Sequence, residues 1–121
     1  MNPSESVARH LPLKPVFFSI LLVLADGASH GYGILKAIEA RTEGAIRLEP
    51  GNLYRYVKKL LDLGLIAEAD DVRDPSGDER RRYYALTQLG RDVVRAEAIR
   101  MRGLVRAAED RSIIAPGEAS T

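Results

Sequence analysis

The segment from Pro50 to Ile66 constrains the fold most, because a two-faced helical pattern ends at a glycine and runs into a short apolar stretch. Proline suits the first position of a helix, and glycine suits its end. At 3.6 residues per turn, one face of the segment is apolar and the opposite face is polar. The apolar face is formed by Leu53, Val57, Leu60 and Leu61, and the polar face by Asn52, Arg55, Tyr56 and Lys59. The pattern predicts a helix that buries one side and presents the other to a partner.

The polar face carries residue types that proteins use to bind DNA. Guanidinium, ammonium, carboxamide and phenol groups reach phosphates and base edges in a major groove. Between Gly51 and Leu63, three basic residues and one acid leave a local charge of +2, although 18 basic and 17 acidic residues nearly cancel over the whole chain. Local clustering is what marks a nucleic-acid surface. We interpret the segment as a DNA-recognition helix; an ordinary amphipathic helix with a solvated face is the alternative.

The residues after Gly64 have the pattern of a β-hairpin. A mostly apolar run at 65–69 and an aromatic-rich run at 82–86 predict two strands, and Asp-Pro and Ser-Gly turn signals lie between them. The connecting loop is acidic, whereas Arg80, Arg81 and Arg82 stand at the base of the returning strand. Because phosphates repel acids, we expect any DNA contact of the hairpin at these arginines. The alternative is that the arginines pair with the acids of the hairpin in a solvated network.

Two further helices are predicted before this segment, at 15–25 and at 29–42. Ser29 is the expected cap of the second helix, whose inward-facing residues are Gly31, Ile34, Leu35 and Ile38. Gly31 and Gly33 each cost about 1 kcal/mol of helix propensity, which suggests that another group packs close to the backbone there. The run at 45–48 is expected to add a small strand to the hairpin. We expect a flexible arm at 1–12, a folded domain at 13–87 and a flexible tail at 112–121.

A long final helix is predicted at 88–111, with Thr87 as its cap. Its apolar residues recur at spacings of four and three, which is a heptad seam. The seam consists of Val94, Ala98, Met101, Val105 and Ala108, and Leu104 and Ile99 widen it. A helix of about 24 residues extends about 36 Å, which is more than the core of so small a domain needs. We therefore expect the same helix of a second subunit to cover the seam in a twofold homodimer; folding back on its own domain is the alternative.

Composition excludes several kinds of site. The chain has 121 residues, which fits one domain, and it has no cysteine, so disulfides and thiolate metal sites are excluded. The apolar run at 16–25 is too short for a membrane span, and its helical periodicity argues against a cleaved signal peptide. His10 and His30 are 20 residues apart and form no catalytic constellation. We therefore expect neither enzyme activity nor a cofactor, and we expect a cytoplasmic protein.

Four short sequence blocks stand in order between residues 16 and about 90. They are Phe18-Ser19-Ile20-Leu21 through Leu24; Ser29-His30-Gly31-Tyr32 with Ile34; Gly51-Asn52-Leu53-Tyr54 with Leu60 and Gly64-Leu65-Ile66; and Tyr83-Tyr84-Ala85-Leu86-Thr87 with Gly90. Their order and gaps resemble the PadR family of bacterial transcriptional regulators. The resemblance implies a mainly α fold with a small β-hairpin wing, namely a dimeric winged helix-turn-helix repressor. It also implies that the third helix enters the major groove, the wing lies near the minor groove and the last helix makes the dimer.

Together, these patterns predict a sequence-specific regulator that binds an inverted-repeat operator in double-stranded DNA as a homodimer. The candidate DNA-binding residues are Asn52, Tyr54, Arg55, Tyr56, Lys59, His30, Arg80, Arg81 and Arg82. Arg55 stands where the family usually has proline, which suggests a different operator. Some relatives stack flat aromatic effectors on tryptophan, which this chain lacks, so whether it has a small-molecule effector stays open. A winged helix that makes only protein-protein contacts is the alternative function.

Overall fold

The computed structural model describes residues 3–69 and 82–119. Within them lie five helices and three short strands. In chain order they are α1 (Pro3–Ala8), α2 (Pro15–Ala25), β1 (Ser29–His30), α3 (Gly31–Arg41), α4 (Pro50–Asp62), β2 (Ile66–Glu68), β3 (Tyr83–Leu86) and α5 (Gln88–Asp110). Helices α2 to α4 followed by the strand pair and α5 give the mainly α, winged helix-turn-helix arrangement that the sequence predicted.

Helix α2 lies at the centre of the core. Its sequence is apolar almost all round, and such a helix is stable only when neighbours cover it. It buries Phe17, Ile20, Leu21, Val23 and Leu24 and contacts α3, α5 and β3. Ile34 and Ile38 of α3 complete one side of this core, together with the predicted apolar face of α4. The core therefore fixes how α3 and α4 sit against α2.

The three strands form one antiparallel sheet with the order β1-β3-β2. The predicted hairpin is confirmed, with Ile66 opposite Leu86 and Glu68 opposite Tyr84. The predicted third strand at 45–48 is wrong, because residues 42–46 form turns and bends. The third strand is β1, which pairs Ser29 with Tyr84. Residues 70–81, with the hairpin loop, Arg80 and Arg81, lie outside the described residues.

Helix α3 begins two residues later than predicted. Its cap is His30 rather than Ser29, because the His30 ring accepts a hydrogen bond from the Gly33 N–H, whereas Ser29 lies in the extended pair β1. The Nδ1 atom of His30 is 3.1 Å from the Gly33 nitrogen. The three-stranded sheet therefore leads directly into α3, because His30 is both the last residue of β1 and the N-cap of α3.

Within the described residues, the segments expected to be flexible, at 1–12 and 112–121, make contacts with the rest of the chain. Helix α1 lies within the expected arm and contacts α5, and Val7 and Leu11 pack against the core. After α5, the Ile113 N–H donates to the Ala108 carbonyl over 3.0 Å. The Gly117 N–H donates to Oε2 of Glu109 over 3.2 Å. No periodic pattern in the sequence signals these contacts, which residues 3–12 and 112–119 make with α5 and the core.

Helix α5 is divided between two environments. Its first turns bury Gly90, Val93, Val94 and Glu97 against the same chain, where α5 contacts α1, α2 and β3. The placement of Val94 in a dimer seam is therefore wrong, because its own domain already covers it. Of the other predicted seam residues, Ala98, Leu104 and Val105 are exposed, and Met101 and Ala108 are half-buried. The heptad pattern predicted one continuous seam along α5, but the chain's own domain buries only the first turns of it.

Candidate nucleic-acid interface

Helix α4 presents a polar face because the opposite face is locked in the core. Leu53, Val57 and Leu60 are each 2% exposed or less, so the rotation of the helix about its axis is fixed. Arg55 and Lys59 are exposed, as predicted, and Asn52 is half-buried at the edge of the face. Lys58 is also exposed and was missed by the sequence analysis, although its spacing of three from Arg55 places both on one helix face.

The Arg55 side chain is held by two neighbours on α4. Its Nη2 donates a hydrogen bond to Oδ1 of Asn52 over 2.7 Å. Its guanidinium carbon lies 5.8 Å from the centre of the Tyr56 ring, a distance at which a cation is attracted to the ring. The guanidinium therefore has a preferred position before any partner arrives.

The two tyrosines of α4 differ in burial, and Tyr56 departs from the place on the polar face that the helical pattern predicted. Tyr56 is half-buried rather than on the exposed face, because its ring packs edge-on against Phe17, with ring centres 5.7 Å apart. Tyr54 is 57% exposed. A Cβ atom at Gly31 would lie only 3.2 Å from its ring, so α3 and α4 approach closely there. This confirms the expectation that another group packs on the glycine-containing start of α3.

A cluster of aromatic side chains, which includes the predicted site residue His30, lies at the start of α3. The His30 ring stacks on Tyr32, with centres 6.5 Å apart, and meets Tyr83 edge-on at 5.2 Å. Nζ of Lys36 lies 5.5 Å from the centre of the Tyr32 ring, and Tyr32 is 59% exposed. Tyr32 and Lys36 were missed by the sequence analysis, although their spacing of four places them on one side of a helix.

Arg82 is the part of the predicted arginine cluster that lies within the described residues. It is exposed, and its Nη1 is 3.1 Å from Oε1 of Glu68 on the neighbouring strand. An exposed pair of this kind contributes about 0–1 kcal/mol, so the guanidinium can exchange Glu68 for another anion. The neighbouring Tyr84 is buried, and burial followed by the Glu68 charge raises the pKa of its phenol. That phenol is therefore neutral near pH 7.

Other kinds of site find little support in the described part of the chain. Among residues 3–69 and 82–119, three or more His, Asp or Glu side chains do not gather where they could hold a metal ion. Over the same ranges, each helix is too short or too polar to span a bilayer. The candidate surface is the polar face of α4 together with the start of α3, which we call the α3–α4 face: His30, Tyr32, Lys36, Asn52, Tyr54, Arg55, Lys58 and Lys59.

Comparison with solved structures finds the same fold in transcriptional regulators. A transcriptional regulator from Clostridium thermocellum aligns with 25% identity and a TM-score of 0.64, over 82% of this chain and 93% of that one. A PadR family transcription regulator from Clostridium difficile aligns with 21% identity and a TM-score of 0.65, over 80% and 97%. Bacillus subtilis PadR in complex with operator DNA aligns with 23% identity and a TM-score of 0.60, over 73% and 48%.

Sequence comparison points to the same group. An uncharacterized 37.1 kDa protein in transposon TN4556 of Streptomyces fradiae is 39% identical over 80 residues, which is 65% of this chain. The aligned region spans only 21% of that relative. The family model described as "Transcriptional regulator PadR-like family" matches residues 20–96, from the middle of α2 into α5. Since this match covers more than half of the chain and the fold agrees, the chain belongs to the PadR-like family of transcriptional regulators.

Proposed function

We propose that this protein binds a specific operator in double-stranded DNA as a homodimer and represses transcription from it. The observation that carries the proposal is the polar face of α4, where Arg55, Lys58 and Lys59 are exposed together. Their side of the helix is set by the buried residues opposite, so the three cations meet a partner as one surface. A protein that neutralises phosphates with such cations gains affinity by releasing counterions.

The placement of α4 matches the way that helix-turn-helix proteins read DNA. In such proteins the second helix of the motif lies in the major groove, and its first residues contact base edges. Here Asn52 and Arg55 lie in the first half of α4, and Lys58 and Lys59 lie in the second half. We assign base contacts to the first pair and phosphate contacts to the lysines. Support comes from the matching fold of Bacillus subtilis PadR, whose structure contains operator DNA.

The second half of α5 supports a homodimer. Leu104 and Val105 are 59% and 48% exposed in the single chain, and an apolar stripe of this kind needs a partner to leave water. A twofold dimer brings two copies of α4 about 34 Å apart, which is one turn of duplex DNA. Such a dimer reads an inverted repeat, and when it occupies a promoter it excludes other proteins from the same DNA. This function places the protein in the cytoplasm, together with the chromosome.

The test is the salt dependence of binding to a duplex from the promoter of the protein's own gene. Lys59→Ala removes one proposed phosphate contact from each subunit of the dimer, so it should shrink the magnitude of the slope of log affinity against log salt by about 1.8. Arg106 is exposed on α5, the helix that contacts α1, α2 and β3, and it is not among the residues of the α3–α4 face, so Arg106→Ala should leave the slope unchanged. If the unmodified protein shows no salt-dependent binding to any duplex, the proposal fails. A winged helix used for protein-protein contacts would then be the better description.

A further inference from the structure

The proposed DNA function leaves one question open, namely what the face of α4 recognises in its operator. The strongest observation is the chain of contacts that holds Arg55. Phe17 is buried in the core, Tyr56 packs edge-on against it, and the Arg55 guanidinium lies 5.8 Å from the centre of the Tyr56 ring. Asn52 holds the other side through Oδ1. An exposed arginine is thereby linked to the core through one ring and to the helix through one amide.

The remaining donors of Arg55 define the chemistry of its ligand. An arginine has five N–H donors in one plane, and the structure gives one of them, on Nη2, to Asn52 over 2.7 Å. The other donors can still make two parallel hydrogen bonds to a pair of acceptors. In the major groove guanine presents such a pair, O6 and N7, whereas adenine presents one acceptor and one donor. An arginine fork therefore matches guanine and is mismatched to the N6 donor of adenine.

The position of the pair on α4 favours a base over a phosphate. Asn52 and Arg55 are the third and sixth residues of the helix, and it is the first part of a recognition helix that reaches base edges. A fixed side chain also loses less rotational freedom when it binds, which matters most for a contact that must meet two acceptors at once. A phosphate contact from a flexible lysine, such as Lys58 or Lys59, needs no such support.

We propose that Asn52 and Arg55 act as a guanine-reading pair, in which Arg55 donates to O6 and N7 of one guanine in each operator half-site. Asn52 is the positioning residue that holds the guanidinium. The inference rests on the proposed DNA function and adds the base that the face selects. It predicts that sequence preference at one base pair depends on Arg55, and that the effect of Asn52 on this preference operates through Arg55.

The experiment first selects operators from a pool of randomised duplexes with the unmodified full-length protein. Each guanine of the selected half-site is then replaced by 7-deazaguanine, which removes the N7 acceptor, and in parallel by inosine, which keeps O6 and N7. We expect one position where 7-deazaguanine lowers affinity and inosine does not. At that position Arg55→Ala should reduce the preference for guanine by about 5- to 150-fold, the equivalent of about 1–3 kcal/mol.

A double-mutant cycle tests the positioning role. Asn52→Ala should reduce the preference for guanine in the unmodified background, and it should change the preference little when Arg55→Ala is already present. Lys59→Ala is the matched control, because it should weaken binding to all sequences about equally. A preference that Asn52→Ala lowers equally in both backgrounds would overturn the positioning role.

Three outcomes separate this inference from the function beneath it. If Arg55→Ala weakens all sequences equally and reduces the magnitude of the salt slope by about 1.8, which is one lost phosphate contact per subunit, Arg55 contacts a phosphate and the inference is overturned. The same holds if no guanine in the selected half-site is sensitive to 7-deazaguanine, a measurement made on the unmodified protein. If the unmodified protein selects no sequence at all, the proposed operator binding itself fails.

Discussion

Two glycines of α5 show how strongly a single position can depend on its surroundings. A Cβ atom at Gly90 would lie 1.9 Å from the carbonyl oxygen of Leu65, whereas one at Gly103 would meet nothing within 4 Å. The close approach at Gly90 is reinforced by Thr87, whose N–H donates to the Leu65 carbonyl over 3.1 Å. The Thr87 hydroxyl also donates to the Gly64 carbonyl over 2.6 Å. The start of α5 is thereby fastened to the turn that follows α4.

Alanine substitutions at these two glycines should have opposite effects on stability. Gly90→Ala forces the backbone near Leu65 to move, and overpacking of this kind lowers the free energy of unfolding by about 1–3 kcal/mol. Gly103→Ala adds helix propensity in open space and should raise it by up to about 1 kcal/mol. Urea unfolding of both variants at one protein concentration measures the difference. Equal stability of the two variants would contradict the close packing at Gly90.

At the scale of whole elements, Glu97 joins α5 to the start of α2. Its carboxylate is 1% exposed and accepts a hydrogen bond from the Leu13 N–H over 2.8 Å. Arg100, one turn further along α5, donates to both carboxylate oxygens. The bonds from Arg100 lower the pKa of Glu97 most, burial acts against them, and the Leu13 bond lowers it further. The buried charge therefore has partners, which is what burial requires.

The hydrogen bonds of the Glu97 carboxylate should make the free energy of unfolding depend on pH. Because the pKa of Glu97 in the folded state lies below its ordinary value of 4.5, its contribution is complete above that value. The contribution is lost as the pH falls through the lowered pKa. Glu97→Gln should lower the free energy of unfolding at pH 7 by about 1.5–3 kcal/mol, the range for hydrogen bonds to charged groups. It should also flatten the acid side of the stability profile.

Chemical denaturation at a series of pH values measures the free energy of unfolding as a function of pH. The series runs from about pH 3 to about pH 7, which spans the range where carboxyl groups titrate. Glu49→Gln is the matched control, since Glu49 is exposed and makes no capping bond to α4. We expect the control to follow the unmodified protein closely. An acid profile that Glu97→Gln leaves unchanged would mean that Glu97 does not titrate differently in the folded and unfolded states.

At the scale of the whole molecule, α5 packs on its own domain at one end and, in the proposed dimer, on a partner at the other. The expected alternative, in which the helix folds back on its own domain, holds for its first turns, where Val94 is buried. Beyond Glu97 the apolar residues Leu104 and Val105 remain exposed. The proposed dimer therefore rests on the second half of the seam alone, with Met101 and Ala108 at its half-buried edge.

A charge in the second half of the seam should dissociate the proposed dimer. Val105→Glu would bury an unpaired carboxylate between subunits, at a cost of several kcal/mol, so sedimentation should show a monomer. Gly103→Glu is the matched control, because Gly103 is exposed, a Cβ atom there would meet nothing within 4 Å, and the position lies nearly half a turn around the helix from Val105. It should remain a dimer. Binding to a full operator should fall far more in Val105→Glu than binding to a single half-site.

The proposed dimer would be contradicted if the unmodified protein is a monomer at micromolar concentration, which is about the range of a weak dimer, and still binds the operator with full affinity. Val94→Glu is unsuitable for the test, because Val94 lies in the core of its own domain and the variant would unfold. The two positions differ by about three helical turns, yet the sequence pattern assigned them the same role.

Periodicity by itself determined the elements with regular spacing. The two faces of α4, the apolar α2, the paired strands β2 and β3 and the extent of α5 all follow from side chains that repeat with the period of a helix or a strand. The exposure of Arg55 and Lys59 follows from the same periodicity. These features are local, since they depend only on neighbours along the chain.

Only the tertiary structure decided the features that depend on distant residues. β1 has two residues and exists because β3 offers it an edge, which no local pattern signals. Glu97 is buried because Leu13, 84 positions away, supplies a donor. Val94 and Val105 look alike in the sequence, and only the neighbouring elements bury one and leave the other exposed. Burial is set by what lies across the fold, and spacing along one helix does not contain that information.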